Sequence, residues 1–106
     1  MPREYSRIDR IADMIQQELA TLILREMQDP RLNLVTITAV KVSKDLSFAR
    51  VYITQPKTEA EITETVKTLN RAANHLRFLL AHAIRLRVVP HLKFFYVYFD
   101  AFTPDG

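Results

Sequence analysis

Apolar residues in the first quarter of the chain recur at intervals of three and four, the spacing of one helical face. They run from Ile8 to Met27, with arginines and other polar residues toward the opposite side. Ser6 and Asp9 predict a capping box at the start of this helix. The Asp29-Pro30 pair predicts its end, because a residue that precedes proline disfavours helical backbone.

The pattern then changes to an alternation typical of β-strands. Residues 35–43 and 48–54 are both rich in β-branched and aromatic side chains, so each predicts a strand. Residues 43–47 predict a hairpin turn without glycine between them. The two strands are therefore expected to pair antiparallel.

A second helical pattern begins at Thr58, where Thr58 and Glu61 predict another capping box. Helical spacing continues through residues 72–75, which either continue one helix or form a kink between two. Pro90 ends this region. Residues 92–99 are apolar on both faces, which is typical of a strand in the middle of a sheet or covered on both sides.

The predicted order is helix, strand, strand, helix, helix, strand, which is an α+β fold. A long helical crossover usually returns parallel to a strand already in the sheet. We therefore predict a three-stranded mixed sheet with the helices packed on one face. A length of 106 residues suits one domain, so a single domain is predicted over residues 1–106.

Composition excludes several classes of function. The chain has no cysteine, which excludes disulfides and thiolate metal sites. Its only glycine is Gly106, so a glycine-rich phosphate loop is impossible, and left-handed turn positions are expected on Asn or Asp. A polar start and short apolar runs predict no signal segment, no membrane span and a cytoplasmic location.

Positive charge is concentrated in the second half of the chain. Residues 1–64 carry nine Lys/Arg and ten Asp/Glu, whereas residues 65–99 carry six Lys/Arg and no acid. A segment of one sign attracts polyanions, and nucleic acid is the first such partner to consider. A solvated basic face without any ligand is the alternative, and charge alone does not separate the two.

Catalytic and metal chemistry find no support in the sequence. The serines fall in predicted caps and turns, and the histidines have no neighbouring acid to orient them. His75 and His82 would be ~10 Å apart along a helix axis, too far for two ligands of one zinc ion. His91 could join only one of them. We therefore expect no enzymatic activity, no metal site, no cofactor and no small-molecule substrate.

The basic residues of the acid-free segment suit phosphate binding. Arg77, Ala81 and Arg85 are predicted to share one helical face, where a small alanine lets a backbone approach. Guanidinium groups match phosphate oxygens in pairs. The alternative is that these arginines cover apolar surface and pair with acids from residues 1–64. The predicted contacts are Arg71, His75, Arg77, His82, Arg85, Arg87 and Lys93, extended by Arg31, Lys44 and Arg50 if their elements fold to the same side.

The aromatic residues near the end of the chain suggest a surface on which bases stack. The predicted element order differs from that of RNA-recognition motifs, and their glycine-containing signature is impossible here. We therefore expect most of these rings to lie in the core. They are Phe94, Phe95, Tyr96, Tyr98 and Phe99.

Three local sequences resemble the ribosome-binding factor A family. They are residues 29–32 (Asp-Pro-Arg-Leu), residues 43–52 (Ser-Lys-Asp-Leu-Ser-Phe-Ala-Arg-Val-Tyr) and residues 85–94 (Arg-Leu-Arg-Val-Val-Pro-His-Leu-Lys-Phe). With the segment from Arg3 to Arg10, the resemblance covers residues 3 to 96. It implies a type-II KH fold, no catalysis, and binding to the small ribosomal subunit and its rRNA; we expect the chain to be a monomer. It also implies assistance in late maturation of that subunit, most important for growth in the cold in many members.

The family has an Ala-x-Gly kink between its last two helices, where other KH domains have a Gly-x-x-Gly loop. The corresponding residues here are Ala72, Ala73 and Asn74, and asparagine takes left-handed backbone less readily than glycine. Residues 97–106 depart from the family sequence. Two other hypotheses stay open: a protein–protein adaptor that docks through its first helix or last strand, and a different type-II KH protein, such as a domain of a larger GTPase.

Overall fold

The computed structural model describes residues 6–97 of the chain. The helices and strands follow the predicted order, which confirms the α+β fold. Of the divergent C-terminal segment, Tyr98, Phe99 and the residues that follow them lie outside the described residues. The elements are α1 (Arg7–Glu26), one 3-10 turn (Pro30–Leu32), β1 (Thr36–Val42), β2 (Phe48–Thr54), α2 (Glu59–Arg71), α3 (Ala73–Ala83) and β3 (His91–Tyr96).

The three strands form one mixed sheet in the order β1-β2-β3. β1 pairs antiparallel with β2, and β3 pairs parallel with β2 after the α2–α3 crossover, both as predicted. α1 packs on β1, while α2 and α3 pack on β3, and all three helices cover the same face. The helices among the described residues are not both long and apolar enough to cross a membrane.

One core fills the space between the helices and the covered face of the sheet. The apolar stripe predicted for α1 is buried at Ile11, Ile15, Leu19, Leu22 and Ile23. Burying each such side chain contributes about 1.5–3 kcal/mol, so these contacts hold α1 on the sheet. The fully buried partners from the other elements include Val51, Ile53, Ile62, Leu69, Leu76, Leu80 and Phe94.

Both predicted capping boxes form. Ser6 Oγ accepts the Asp9 N–H at 3.1 Å, and Thr58 Oγ1 accepts the Glu61 N–H at 3.2 Å. The return bonds from the N-cap N–H groups to the carboxylates complete each box. The hydrogen bonds from the Thr58 backbone and side chain lower the pKa of Glu61.

β1 contains a bulge that was not predicted. Ile37 pairs with Ile53 and Ala39 pairs with Tyr52, so Thr38 is an extra residue in β1. A one-residue shift reverses the face on which every later side chain lies. The bulge therefore lets Ile37 and Val40 both face the core, and it turns Lys41 to the open face of the sheet.

The environment predicted for the last strand is wrong: among residues 6–97, β3 lies at an edge of the sheet and only one of its faces is covered. Leu92 and Phe94 are buried, whereas His91 and Lys93 are exposed. Phe95 is half-buried on the open face, where its ring stacks on Tyr52 with centroids 5.5 Å apart. Phe95 is therefore covered by a neighbouring ring on the same face and not by a second core. For this reason the run of apolar residues wrongly predicted a strand covered on both faces.

Left-handed backbone occurs at two leucines, and not at Asn or Asp as expected. Leu34 has φ 65° and Leu46 has φ 63°. In the hairpin, the Asp45 carboxylate accepts hydrogen bonds from both the backbone and the hydroxyl of Ser47, so the acid holds the turn and the next residue takes the unusual backbone. Leu46 packs against the core, whereas Leu34 is 71% exposed.

Glycine substitutions at these two positions should therefore have opposite effects. Leu34→Gly should raise the free energy of unfolding by up to about 1 kcal/mol, because relief of the left-handed penalty exceeds the added chain entropy. Leu46→Gly should lower it by about 1–2 kcal/mol, because the loss of a half-buried side chain exceeds the same relief of the left-handed penalty. Urea unfolding of both variants measures the difference, and equal effects would contradict the assignment.

The Asp45 turn also predicts a pH dependence of stability. Hydrogen bonds from the Ser47 and Ser43 hydroxyls hold the pKa of Asp45 below its ordinary value of 3.8. The stabilisation from the carboxylate is therefore complete above that value and is lost as pH falls through the lower folded pKa. We expect Asp45→Asn to lower Tm at pH 7, and the gap from the parent chain to narrow toward pH 3.

Glu18→Gln is the control, because the side chain of Glu18 makes no hydrogen bond or ion pair with any residue in the described range. A gap between Asp45→Asn and the parent that stays constant from pH 7 to pH 3 would show that the charge of Asp45 does not hold the turn.

Candidate nucleic-acid interface

The junction of α2 and α3 is a break at a single residue. Ala72 has φ −92° and ψ 2°, a backbone that any L-residue can adopt, and its N–H is shared between the carbonyls of Thr68 and Leu69. Ala73 and Asn74 already belong to α3. Of the three residues predicted at the kink, Ala72 makes the turn and Asn74 needs no left-handed backbone.

Asn70 fixes this junction to the edge of the sheet. Its Oδ1 accepts the Phe94 N–H at 2.8 Å, and its Nδ2 donates to the Phe94 carbonyl at 3.1 Å. The side-chain amide thus pairs with β3 as a neighbouring strand would. The end of α2 is held beside the outer edge of β3, and the start of α3 is positioned with it.

Arg77 fixes the other side of the junction. Its Nε donates to the Val89 carbonyl at 2.9 Å, which ties α3 to the segment that leads into β3. The Nη groups of Arg77 have no partner among residues 6–97. Arg77 therefore has a structural bond through one nitrogen and keeps its outer donors for a ligand.

A groove lies between α3 and the segment that connects it to β3. The residues from α3 are spaced by three and four, so they share one helical face. Arg77 and Arg87 supply positive charge, and Phe78 supplies an exposed ring. The small side chain of Ala81 leaves room for a ligand between them. The lining residues are Asn74, Arg77, Phe78, Ala81, Leu86, Arg87 and Val89.

His75 and His82 lie on α3 on either side of Phe78, next to this groove. Both are exposed. The Nδ1 of His82 lies 2.9 Å from the Phe78 carbonyl, and the two rings are 4.5 Å apart between centroids. Within residues 6–97, no cluster of three or more His, Asp or Glu is placed to hold a metal ion.

Arg85 does not share the helical face of Arg77 and Ala81, so that prediction is wrong. α3 ends at Ala83, and Ile84 takes an extended backbone (φ −125°, ψ 150°) while its side chain packs against the core. Arg85 is therefore exposed in the connecting segment. Arg71 is the last residue of α2, exposed beside the break.

Arg50 and Lys93 lie away from the groove, on the open face of the sheet. They are paired across β2 and β3, and Lys41 is paired with Arg50 across β1 and β2. Lys44 is exposed in the hairpin, whose Ser47 carbonyl accepts the His91 N–H at 2.9 Å. The predicted contacts thus do not form one patch.

Arg31 joins neither surface. Its guanidinium donates to both carboxylate oxygens of Asp29, at 3.1 and 2.8 Å, and this side-chain hydrogen bonding lowers the pKa of Asp29. Its carbonyl accepts hydrogen bonds from Gln55 and Thr65, which holds it beside the first half of α2. The charge of Arg31 is therefore balanced locally.

Apart from Lys67, which pairs with Glu64, the basic residues of the acid-free segment form no ion pair with the acids of residues 1–64 that the structure describes. Ion pairs among residues 6–97 join Arg25 to Glu26, Arg31 to Asp29 and Lys67 to Glu64. None of them involves the predicted residues of that segment. The members left without a carboxylate partner in this range are Arg71, Arg77, Arg85, Arg87 and Lys93.

Sequence reasoning missed two residues that matter here. Asn70 lies in the last turn of α2. Its position in the sequence pattern does not indicate that its side chain pairs with the edge of a strand. Lys41 faces the open side only because of the bulge at Thr38. The signal that could have revealed the bulge is the change of phase at Ala39 and Val40, where two apolar residues are adjacent.

The described residues form a mixed three-stranded sheet with helices on one face. Together with the break between α2 and α3 and the basic groove beside α3, this sheet defines a small α+β domain of the type-II KH class. Comparison with known proteins narrows this class. The family model described as Ribosome-binding factor A matches residues 7–99. The chain belongs to the ribosome-binding factor A family.

Individual relatives agree over most of the chain. The ribosome-binding factor A of Marinobacter nauticus is 49% identical over 100 residues, which are 89% of this chain and 70% of that protein. The crystal structure of ribosome-binding factor A from Thermus thermophilus has a TM-score of 0.77 at 32% identity, covering 86% of this chain and 97% of the other. Coordinates of the Thermus protein fitted into a cryo-EM map of its 30S complex give a TM-score of 0.68 at 34% identity, covering 79% and 88%.

The junction predicts a contrast between two asparagines in neighbouring turns. Asn70→Ala should lower the free energy of unfolding by about 2–4 kcal/mol, because two hydrogen bonds are removed and the Phe94 backbone is left unpaired. Asn74→Ala should change it by less than about 0.5 kcal/mol, because Asn74 is exposed and makes no side-chain hydrogen bond within residues 6–97. Chemical denaturation of both variants is the measurement, and a similar loss in each would contradict the role given to Asn70.

Proposed function

We propose that this chain binds the small ribosomal subunit through its rRNA, without catalysis, and that the groove beside α3 is the main contact. Family membership supports the ribosome as partner, and the 30S complex of the Thermus relative supports the small subunit. The observation that carries the choice of groove is the pair Arg77 and Arg87. Both line it, and neither has a carboxylate partner among the described residues.

The groove has the parts that a nucleic-acid backbone requires. The bond from Arg77 Nε to Val89 fixes the guanidinium before a ligand arrives, so less side-chain entropy is lost on binding. Arg87 faces it from the connecting segment, and the small Ala81 between them allows a phosphate to approach. Phe78 offers a ring for a sugar or base.

Further contacts come from residues around the groove. Arg71, His75 and His82 lie along the exposed side of the α2–α3 junction and of α3, and Arg85 lies in the connecting segment. The start of α3 has no side-chain cap, so its first N–H groups favour a negative charge. These groups extend the positive surface along one side of the molecule.

The proposed mechanism is stoichiometric. The chain binds one conformation of the immature subunit more tightly than others, and it shifts the equilibrium only by that difference in affinity. It acts as a single monomeric domain in the cytoplasm. An apolar docking surface, as in the adaptor hypothesis, would show much weaker salt dependence.

Charge reversal at the groove tests the proposal. Arg87→Glu should weaken binding to purified small subunits at least ~10-fold and should reduce the log–log salt slope by about 0.7–0.9 for each phosphate that is no longer neutralised. Binding is measured by co-sedimentation with small and large subunits across a salt series. Arg77 is unsuitable for this change, because its bond to Val89 also holds the fold.

Arg10→Glu is the matched control, since Arg10 is an exposed arginine on α1, outside the groove. It should leave binding within about twofold, because screening limits the effect of a distant charge. Equal losses in both variants would indicate a diffuse charge effect and not a groove. Absence of any preference for small over large subunits would overturn the proposed function.

A further inference from the structure

We propose that the open face of the sheet is a second RNA-binding surface, which takes two unstacked bases of a single strand on two aromatic pairs with a phosphate between them. This open face is defined by Lys41, Phe48, Arg50, Tyr52, His91, Lys93 and Phe95. The inference rests on the proposed function only in taking rRNA as the natural source of that strand. The surface is on the side of the sheet opposite the helices, so it is separate from the groove beside α3.

The first aromatic pair joins the beginnings of β2 and β3. Phe48 and His91 are register partners, with ring centroids 5.6 Å apart and planes at 37°. Phe48 is 59% exposed, and His91 is exposed beside it. An exposed phenylalanine paired with an imidazole presents ring surface directly to solvent.

The second aromatic pair lies four residues further along the same two strands. Tyr52 and Phe95 are register partners, with centroids 5.5 Å apart and planes at 29°, so they are stacked on each other. The small Ala39 of β1 lies next to Tyr52 in the register. Both rings are half-buried, which fixes them against the sheet while leaving part of each exposed.

A row of cations crosses the sheet between the two aromatic pairs. Lys41, Arg50 and Lys93 are consecutive register partners on β1, β2 and β3, and all three are exposed. Like charges placed directly across strands are unfavourable, so an anion that joins them would gain affinity. The Lys93 ammonium lies 5.8 Å from the Phe95 ring centroid, which links the cation row to the second aromatic pair.

The spacing suits an extended strand. Alternate residues on one face of a strand are about 6.6 Å apart, so the cation row lies about 6.6 Å from each aromatic pair and the pairs are about 13 Å apart. Bases in a paired duplex are closed to such contacts, whereas unstacked bases present both faces. A single strand can therefore stack one base on each pair while its backbone crosses the cation row.

The charge around the open face favours its β2–β3 side. Asp9 and Asp13 of α1 lie near the outer edge of β1, in a shallow depression that Lys41 and Arg50 also line. These carboxylates oppose an anion at that edge. Arg50 and Lys93 are on the central and far strands, so the phosphate is expected between them, with Lys41 as the weaker contributor.

Two phenylalanines with the same exposed fraction give a matched pair of variants. Phe48 and Phe78 are each 59% exposed, the first on the open face and the second in the groove beside α3. The probe is a fluorescein-labelled oligouridylate of eight nucleotides, and fluorescence anisotropy with the whole chain measures its affinity. Thermal unfolding of each variant confirms that the fold is intact.

We expect Phe48→Ala to weaken oligouridylate binding by about 10-fold, the scale of one base–aromatic stack. Phe78→Ala, in the groove, should weaken it less than Phe48→Ala does, and Leu24→Ala, at an exposed apolar residue of α1 outside both surfaces, should change it by less than about twofold. Lys93→Gln should weaken it as well and should lower the salt slope, since one phosphate fewer is neutralised. The reverse ranking, with Phe78→Ala the damaging change, would place single-strand binding in the groove and overturn the inference.

Co-sedimentation with small subunits separates this inference from the proposed function. If the parent chain binds small subunits but not oligouridylate, the open face is not an RNA surface, and the proposed function stands. If it binds oligouridylate through Phe48 but shows no preference for small subunits, the surface stands and the proposed function fails. Loss of subunit binding in Phe48→Ala without any oligouridylate binding would mean that a protein occupies the face, which also overturns the inference.

Discussion

The fold depends on how the long crossover returns to the sheet and is held at its edge. Among residues 6–97, β3 pairs with one strand, β2, and the amide of Asn70 pairs with its other edge at Phe94. Arg77 ties the preceding segment to α3 through the Val89 carbonyl. Together these bonds fix the end of α2, the break at Ala72, the direction of α3 and the start of β3. The groove between α3 and the connecting segment exists because both of its walls are anchored in this way.

The same architecture leaves two basic surfaces on opposite sides of the molecule. On the helical side, arginines without carboxylate partners among residues 6–97 line or lie beside a groove in which the small side chain of Ala81 leaves room for a ligand. On the open side, the bulge at Thr38 turns Lys41 outward and completes a row with Arg50 and Lys93. A protein with two such surfaces could hold a structured segment of RNA on one side and a single strand on the other. That combination suits a factor that recognises an incompletely folded RNA.

Much of the fold is predictable because local chemistry and packing agree in this sequence. Both capping boxes, the hairpin and the mixed sheet follow from spacing and side-chain type alone. The errors have physical causes that residue spacing does not reveal. The apolar residues of β3 are tolerated at an edge of the sheet because Tyr52 covers Phe95. Left-handed backbone falls on Leu34 and Leu46. The site was predicted less completely. The end of α3 at Ala83 removes Arg85 from the helical face, and Asn70 acts through a contact distant in sequence.

The central claim, that the groove beside α3 contacts the small subunit, is tested most directly by thiol protection. The chain has no cysteine, so Ala81→Cys in the groove and Ala60→Cys at the start of α2 each introduce a unique thiol at an exposed alanine. Alkylation rates with a bulky maleimide are compared with and without saturating small subunits. We expect subunits to slow alkylation of the Ala81→Cys variant at least ~10-fold, a ratio that corresponds to about 1.4 kcal/mol, and to leave the rate of the Ala60→Cys variant unchanged. Unchanged alkylation at position 81 in a bound complex would contradict the claim.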